Sequence, residues 1–315
     1  MREIPCSLCG GVHTPGYCPQ QEVEKEGKER KKASLEEELR YALETFYYNN
    51  DRLPGIFENA RASGVELDIS QAFLQGLERT LYQGLNTENL KGLALFAKEH
   101  QLVIEDSHTI EVIEIVFAHC YARLDNEKIK ELHLFVRDLG LPIDTKKMFL
   151  QGFYLALQRG WGERASRLAQ RAQKESVVID PQSPETTQAF FQGCEGSLRN
   201  GQAEDVNRIL NLAKKMGVVV STQTPEITEA AKAGMKKCLE DLPLGPGCAS
   251  LAEQMYALIK KQRIPIDMKS KEMIAPLLNS LKAIKQKGER FPPEIQAMSG
   301  GIDADEFLKK IGIKL

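Results

Sequence analysis

A short motif returns six times along this chain, and it restricts the fold more than any other feature. The stretches "GVELD", "LVIED", "LPIDT", "VVIDP", "VVVST" and "IPIDM" place Leu67, Ile104, Ile143, Ile179, Val220 and Ile266 at matching positions. Successive separations are 37, 39, 36, 41 and 46 residues. Sixteen residues before each stand Asp51, Glu88, Glu127, Glu163, Glu204 and Ser250. Two residues further come Leu53, Leu90, Ile129, Ala165, Val206 and Ala252. Then follow Ile56, Leu93, Leu132, Leu168, Ile209 and Met255, and after them Ala60, Ala97, Val136, Ala172, Ala213 and Ile259. Steps of three and four put these residues on one face of an α-helix. The acidic or serine position falls in the first turn of that helix, where it suits the positive end of the dipole.

A second helix precedes this one in each unit. It carries a small residue at Gly76, Gly152, Gly193 and Gly234, where neighbouring helices can approach closely, with Phe73, Phe149 and Phe190 three residues earlier. The stretches "YQGLNTEN", "ARLDNEK", "QRGWGER" and "RNGQAED" read as the turns between the two helices. A period of this length with two helices per unit predicts an all-α fold, an α-solenoid wound as a right-handed superhelix. It spans residues 34–290 in about six hairpins, starting at a capping box, Ser34 with Glu37. Residues 20–33 are charge-mixed and read as a solvated linker or a frayed helix. Residues 291–315 form a tail broken by Pro292 and Pro293, whose end, "DADEFLKKIGIKL", reads as a short amphipathic helix that caps the array or docks a partner.

The unit "FFQGCEGSLRNGQAEDVNRILNLAKKMGVVV", with the exits "GVELD", "GLPID", "SVVID" and "RIPID", resembles the pentatricopeptide repeat family, related to tetratricopeptide repeats. The resemblance implies single-stranded RNA bound by successive repeats, each reading one base with a residue early in the first helix and one at the exit. The exit positions are Asp68, Glu105, Asp144, Asp180, Ser221 and Asp267. Five residues past Asp68 and Asp144 stand Phe73 and Phe149, where a small polar residue is expected, so no base code is legible. Core packing is the plainer role for these rings, with Phe190, and N-capping of the next helix is the plainer role for the acidic exits. Arg123, Arg159 and Arg199 recur near the ends of first helices. They read either as a phosphate-tracking ladder or as complements to the helix C-terminal dipole.

The chain opens with "CSLCGGVHTPGYCP". Cys6, Cys9, His13 and Cys18 make a complete tetrahedral set for zinc, with no position left open for catalysis. A peptide so short folds only as it binds the metal. The stretch resembles the zinc knuckle of retroviral capsid-region proteins, with three residues rather than four between the second cysteine and the histidine. That resemblance implies contacts to single-stranded nucleic acid, for which Tyr17 is the one aromatic candidate here.

The formal net charge of −2 provides no global field toward nucleic acid or anionic membrane. No apolar run reaches the ~18 residues of a membrane span, and the opening residues have no signal-peptide pattern. The expectation is a soluble protein, cytoplasmic or organellar. No phosphate loop, nucleophile elbow or His-Glu-x-x-His motif occurs. His119, on the apolar stretch "VIEIVFAHCYARL", reads as a satisfied core residue, and Trp161 as a packed turn residue. The expected function is non-enzymatic binding of single-stranded RNA by repeats and knuckle together. The alternative is a protein-interaction scaffold whose groove takes a peptide or helix, with a structural knuckle.

Overall fold

A computed structural model of the 315-residue chain describes residues 4–5, 12–13, 19–45, 50–83, 86–268 and 270–286. Among them lie two short strands, β1 (Ile4–Pro5) and β2 (Val12–His13), and thirteen α-helices. The helices are α1 (Pro19–Glu44), α2 (Leu53–Ser63), α3 (Ile69–Tyr82), α4 (Thr87–Glu99), α5 (Ser107–Arg123), α6 (Asn126–Asp138) and α7 (Thr145–Gln158). They continue as α8 (Gly162–Lys174), α9 (Pro184–Arg199), α10 (Ala203–Met216), α11 (Pro225–Glu240), α12 (Pro246–Lys261) and α13 (Lys271–Gln286). The fold is all-α. Each matched segment is the second helix of a pair, from α2 through α12 in even numbers. Glu88, Glu127, Glu163 and Glu204 fall in the first turn as expected, but Asp51 precedes α2 in a 3-10 turn, and α12 begins at Pro246, so Ser250 falls in its second turn.

Two compact units divide the chain. One holds residues up to Phe117 together with Asn126–Thr145; the other holds Ala118–Asp125 and everything from Lys146 on. Within the first, α1 packs on α3 and α4 on α6. Within the second, α9 packs on α11 and α11 on α13, while α8 packs on α10 and α10 on α12. First helices thus meet first helices and second helices meet second helices. The apolar stripes explain this. Phe73, Phe149 and Phe190 are fully buried, as are Leu93, Leu132, Leu168, Ile209 and Met255 from the second helices.

The glycines at the matched position set how closely first helices approach. A methyl on Gly193 would overlap the Leu157 carbonyl oxygen, and one on Gly234 would overlap that of Leu198. Gly76 meets Leu43 Cβ at 3.0 Å in the same manner. Four residues on, a small donor reaches a carbonyl at the end of the preceding first helix. Ser197 Oγ donates to Gly160 O (3.4 Å), Cys238 Sγ to Gly201 O (3.8 Å) and Ser280 Oγ to Leu239 O (2.6 Å), while Thr80 Oγ1 turns back to Gly76 O on its own helix at 2.9 Å. The last carbonyls of a helix have no partner within it, and such donors give carbonyls at or just past a helix end a partner from the next first helix; at Glu44 the partner is instead Asn89 Nδ2, at 2.7 Å.

All six second helices end in the same Schellman turn. The amide of Val65, Leu102, Leu141, Val177, Val218 and Ile264 returns to the carbonyl of Ala60, Ala97, Val136, Ala172, Ala213 and Ile259. The left-handed residue before each amide is Gly64, Gly140 or Gly217 in three turns, and Gln101, Ser176 or Arg263 in the others, with φ of 52°, 53° and 53°. From that point the exit runs extended and its side chains alternate. Val103, Val178 and Val219 therefore stand 73%, 81% and 85% exposed, while Leu67, Ile143, Ile179, Val220 and Ile266 are half-buried and Ile104 is buried.

The start of α1 departs from the sequence expectation. The helix does not begin at Ser34 but runs from Pro19 through the charged stretch, which is exposed from Glu22 to Ser34. Pairs one turn apart, Lys25 with Glu29, Arg30 with Glu26 and Lys32 with Glu36, support it. Burial starts only at Leu35, Leu39 and Leu43, one residue per turn.

Candidate nucleic-acid interface

β1 and β2 pair antiparallel, Ile4 opposite His13 and Pro5 opposite Val12. This bonded pair flanks the segment that carries Cys6 and Cys9, and α1 begins one residue after Cys18. Cys6, Cys9 and Cys18, and with them Tyr17, lie outside the described residues; of His13 the strand backbone is described. The tail at 291–315 also lies outside. Among the described residues no group of three His, Cys, Asp or Glu is placed to hold a metal.

The six exit residues, Asp68, Glu105, Asp144, Asp180, Ser221 and Asp267, are all exposed. Their local roles differ. Asp68 caps α3, its carboxylate accepting from the Gln71 amide at 2.9 Å, while its own amide donates to Glu36 Oε1 at 3.0 Å. At α5 the cap is Asp106, not Glu105. Asp106 accepts from the Thr109 amide at 2.7 Å and from Thr109 Oγ1 at 2.8 Å, and these bonds hold its carboxyl below the usual range. Where the exit is longer, the cap moves downstream. Ser183 caps α9 and Thr224 caps α11, each followed by proline at the first helical position. Asp180 then closes a local turn, accepting from the Gln182 amide at 2.8 Å, and is released from capping the next helix. Asp144 precedes Thr145, the first residue of α7.

The three arginines singled out by their spacing are not equivalent. Arg199 pairs at 2.8 Å with Glu195, one turn back on α9. Arg123 ends α5 and Arg159 follows the last residue of α7, both in the second unit. Where Arg199 has Glu195 four residues earlier, Arg123 has His119 and Arg159 has Leu155. His119 is half-buried rather than a core residue. Burial lowers its pKa first, and the charges of Arg159 and Arg123 lower it further. Beside them, the Arg164 guanidinium sits over the Trp161 ring at 4.4 Å from its centroid, and that of Arg159 lies at 5.5 Å. Trp161 is half-buried in the turn from α7 to α8, its amide bonded to Ala156 O at 2.9 Å. Among the described residues no carboxylate lies within ion-pair distance of Arg123, Arg159 or Arg164. Elsewhere arginine is usually neutralised, as in Arg79 with Glu44 (2.9 Å), Arg167 with Glu163 (2.5 Å) and Arg171 with Glu175 (2.5 Å).

Sequence reasoning found Arg123 and Arg159 through their spacing and placed Trp161 in the turn, but missed Arg164 and the link to His119. A Trp-x-x-Arg spacing on the first turn of a helix was the available signal, since residues three apart share a face. Phe73, Phe149 and Phe190, at the positions expected to face a base, are core. Phe73 stacks on Phe96 at 6.2 Å, Phe149 meets Tyr121 at 5.1 Å edge-on, and Phe190 meets Phe153 at 6.2 Å. No protein-family model and no curated protein matches the chain. No helix among the described residues is long and apolar enough to cross a membrane.

Proposed function

We propose that this chain is a non-enzymatic binder of single-stranded RNA, built as an α-solenoid of pentatricopeptide-like hairpins with a zinc knuckle at its head. One observation carries the reading: six second helices end in one turn geometry, and each turn delivers an exposed exit residue, from Asp68 to Asp267, once per repeat. A ligand that repeats at regular intervals is matched by a protein that repeats likewise, and an unpaired strand is such a ligand. The like-on-like packing of first and second helices within each unit supports the solenoid. Cys6, Cys9, His13 and Cys18 would hold zinc, with β1 paired to β2 on either side of the stretch that carries Cys6 and Cys9.

The test is a filter-binding titration with single-stranded RNA over a range of salt. The logarithm of affinity should fall linearly with the logarithm of salt as phosphate contacts release counterions. Binding without a salt slope, or no binding, refutes it. Native mass spectrometry of the whole chain should show bound zinc, lost in Cys9→Ser. A second reading, a scaffold for a protein partner, is favoured by the exposure of Val103, Val178 and Val219 at equivalent exit positions. It predicts that Val178→Ser with Val219→Ser abolishes partner capture and leaves RNA titrations unchanged.

A further inference from the structure

The geometry points to a nucleotide-binding subsite on the second unit, with a base laid against Trp161 and Arg164 and its phosphate held by Arg123 and Arg159. This deepens the RNA reading by adding a contact away from the exit residues, and rests on it for the polymeric ligand.

Three observations combine. First, the turn after α7 presents an indole with a guanidinium stacked on it at 4.4 Å. A nucleobase is a flat π-system that can extend or replace such a stack, and base–aromatic stacking is tolerant of base identity. Second, Arg123 and Arg159 end neighbouring first helices whose approach is set by Gly152, against Tyr121 and the backbone of Ala118 and Ala122. Both lie near enough to His119 to disfavour its protonation, so two cations bear on one place. Third, the three guanidinium groups have no carboxylate partner among the described residues, whereas Arg167, Arg171, Arg199 and Arg208 of the same unit each have one; Arg263, at the turn after α12, is the unit's other described arginine without one. Like charges gathered without counterions raise the local potential and attract an anion. Arginine, with its planar fork, suits phosphate and stacks on rings at once. A phosphate alone would use the cations and leave the indole idle. A hydrophobic ligand would use the indole and leave the cations unpaired. A nucleotide uses both.

Trp161 is the sole tryptophan, so its fluorescence reports this place and no other. The full chain is titrated with short oligouridylate, with uridine monophosphate and with inorganic phosphate. Quenching by oligouridylate, with affinity reduced roughly tenfold in Trp161→Phe (followed by filter binding) and in Arg159→Ala, supports the subsite. Arg61→Ala, an exposed arginine of the first unit, should leave the affinity unchanged. Arg159→Lys keeps the charge but not the fork and should fall between wild type and alanine, which separates phosphate recognition from loss of folding. Quenching by the mononucleotide alone supports the subsite and assigns it to free nucleotide, while the RNA reading fails. Oligouridylate that binds without changing Trp161 emission, and binds Arg159→Ala as well as wild type, overturns the subsite and leaves the RNA reading standing. A response to inorganic phosphate equal to that to nucleotide overturns the role given to the base.

Discussion

Replacing Gly234 by alanine should unfold this protein more readily than its chemistry suggests, and the size of the effect follows from where the methyl lands. In an exposed helix, glycine to alanine stabilises by about 1 kcal/mol. Gly55, near the start of α2, has nothing within 4 Å of an added methyl. Gly55→Ala should therefore gain between about 0.5 and 1 kcal/mol. At Gly234 the added carbon would overlap the Leu198 carbonyl oxygen, with Leu198 C at 2.9 Å and Gly201 N at 3.0 Å. These are backbone atoms at the end of α9 and cannot rotate away, so α11 must retreat by about 1 Å. A gap of that size forfeits between about a quarter and a half of each dispersion contact across it. The two helices pack on one another and bury Phe190, Cys194 and Leu198 on α9 and Ala231, Met235 and Cys238 on α11. The Cys238 thiol would also lose Gly201 O. Overpacking of a tight core costs about 1–3 kcal/mol, and here the loosened contact adds to it, so Gly234→Ala should lose about 3 kcal/mol. The assay is urea unfolding followed by far-ultraviolet circular dichroism, comparing midpoints at constant m. Gly193→Ala should behave as Gly234→Ala does. A loss below about 0.5 kcal/mol at Gly234, or equal effects at Gly55 and Gly234, would refute the argument that glycine is there for helix approach.

Gln101→Gly places a residue without Cβ in a left-handed turn that already exists, and should raise stability by about 0.5–1 kcal/mol in the same urea assay; Gln101→Val should lower it. Glu44 is buried between Arg40 and Arg79 and accepts from Gln83 at 2.7 Å, so Glu44→Ala should lose about 2–4 kcal/mol, and Glu44→Gln less, by chemical unfolding. Burial pushes the Cys194 thiol up to about 12 and that of Cys238 up to about 11. Neither should react with iodoacetamide at pH 8 until denaturant is added, whereas half-buried Cys248 should label in the native protein, as read by peptide mass spectrometry.

The second helices were the most legible part of the sequence because their stripe decides their burial. Every position matched at the +3 and +4 spacing, from Leu53 to Ile259, is buried. The exits were legible in position but not in role. Leu67 and its counterparts read as apolar anchors, yet most are only half-buried; the helix-ending amide two residues earlier is what fixes the turn. That bond is backbone chemistry, and the side chains around it vary from Gly64 to Arg263. The first helices hid their recurring donors for a related reason. Ser197, Cys238 and Ser280 share only small size and one hydrogen to give, so no pattern of hydrophobicity records them. Ser34 misled because a capping box is a local signal. The pairs on α1 between Lys25 and Glu36 carry the helix through it.

The arginines show how far spacing reaches and where it stops. Position in the repeat put Arg123, Arg159 and Arg199 at comparable helix ends, but the function of a guanidinium depends on what stands one turn away. On α9 that residue is Glu195, and the charge is cancelled at 2.8 Å. On α5 it is His119, an imidazole that carries no negative charge in either form, and whose burial and two cationic neighbours disfavour its protonation. On α7 it is Leu155, and the guanidinium turns toward Trp161 instead. Helices of one design that differ in one neighbour thus hold Arg199 in an ion pair and leave Arg123 and Arg159 without a carboxylate among the described residues. The inserted charge Leu155→Glu tests that reasoning directly. A glutamate four residues before Arg159 should capture it as Glu195 captures Arg199, leave helicity unchanged because Leu155 is only half-buried, and weaken oligouridylate binding roughly tenfold. Unchanged binding in Leu155→Glu would mean that Arg159 is not held free for an anion.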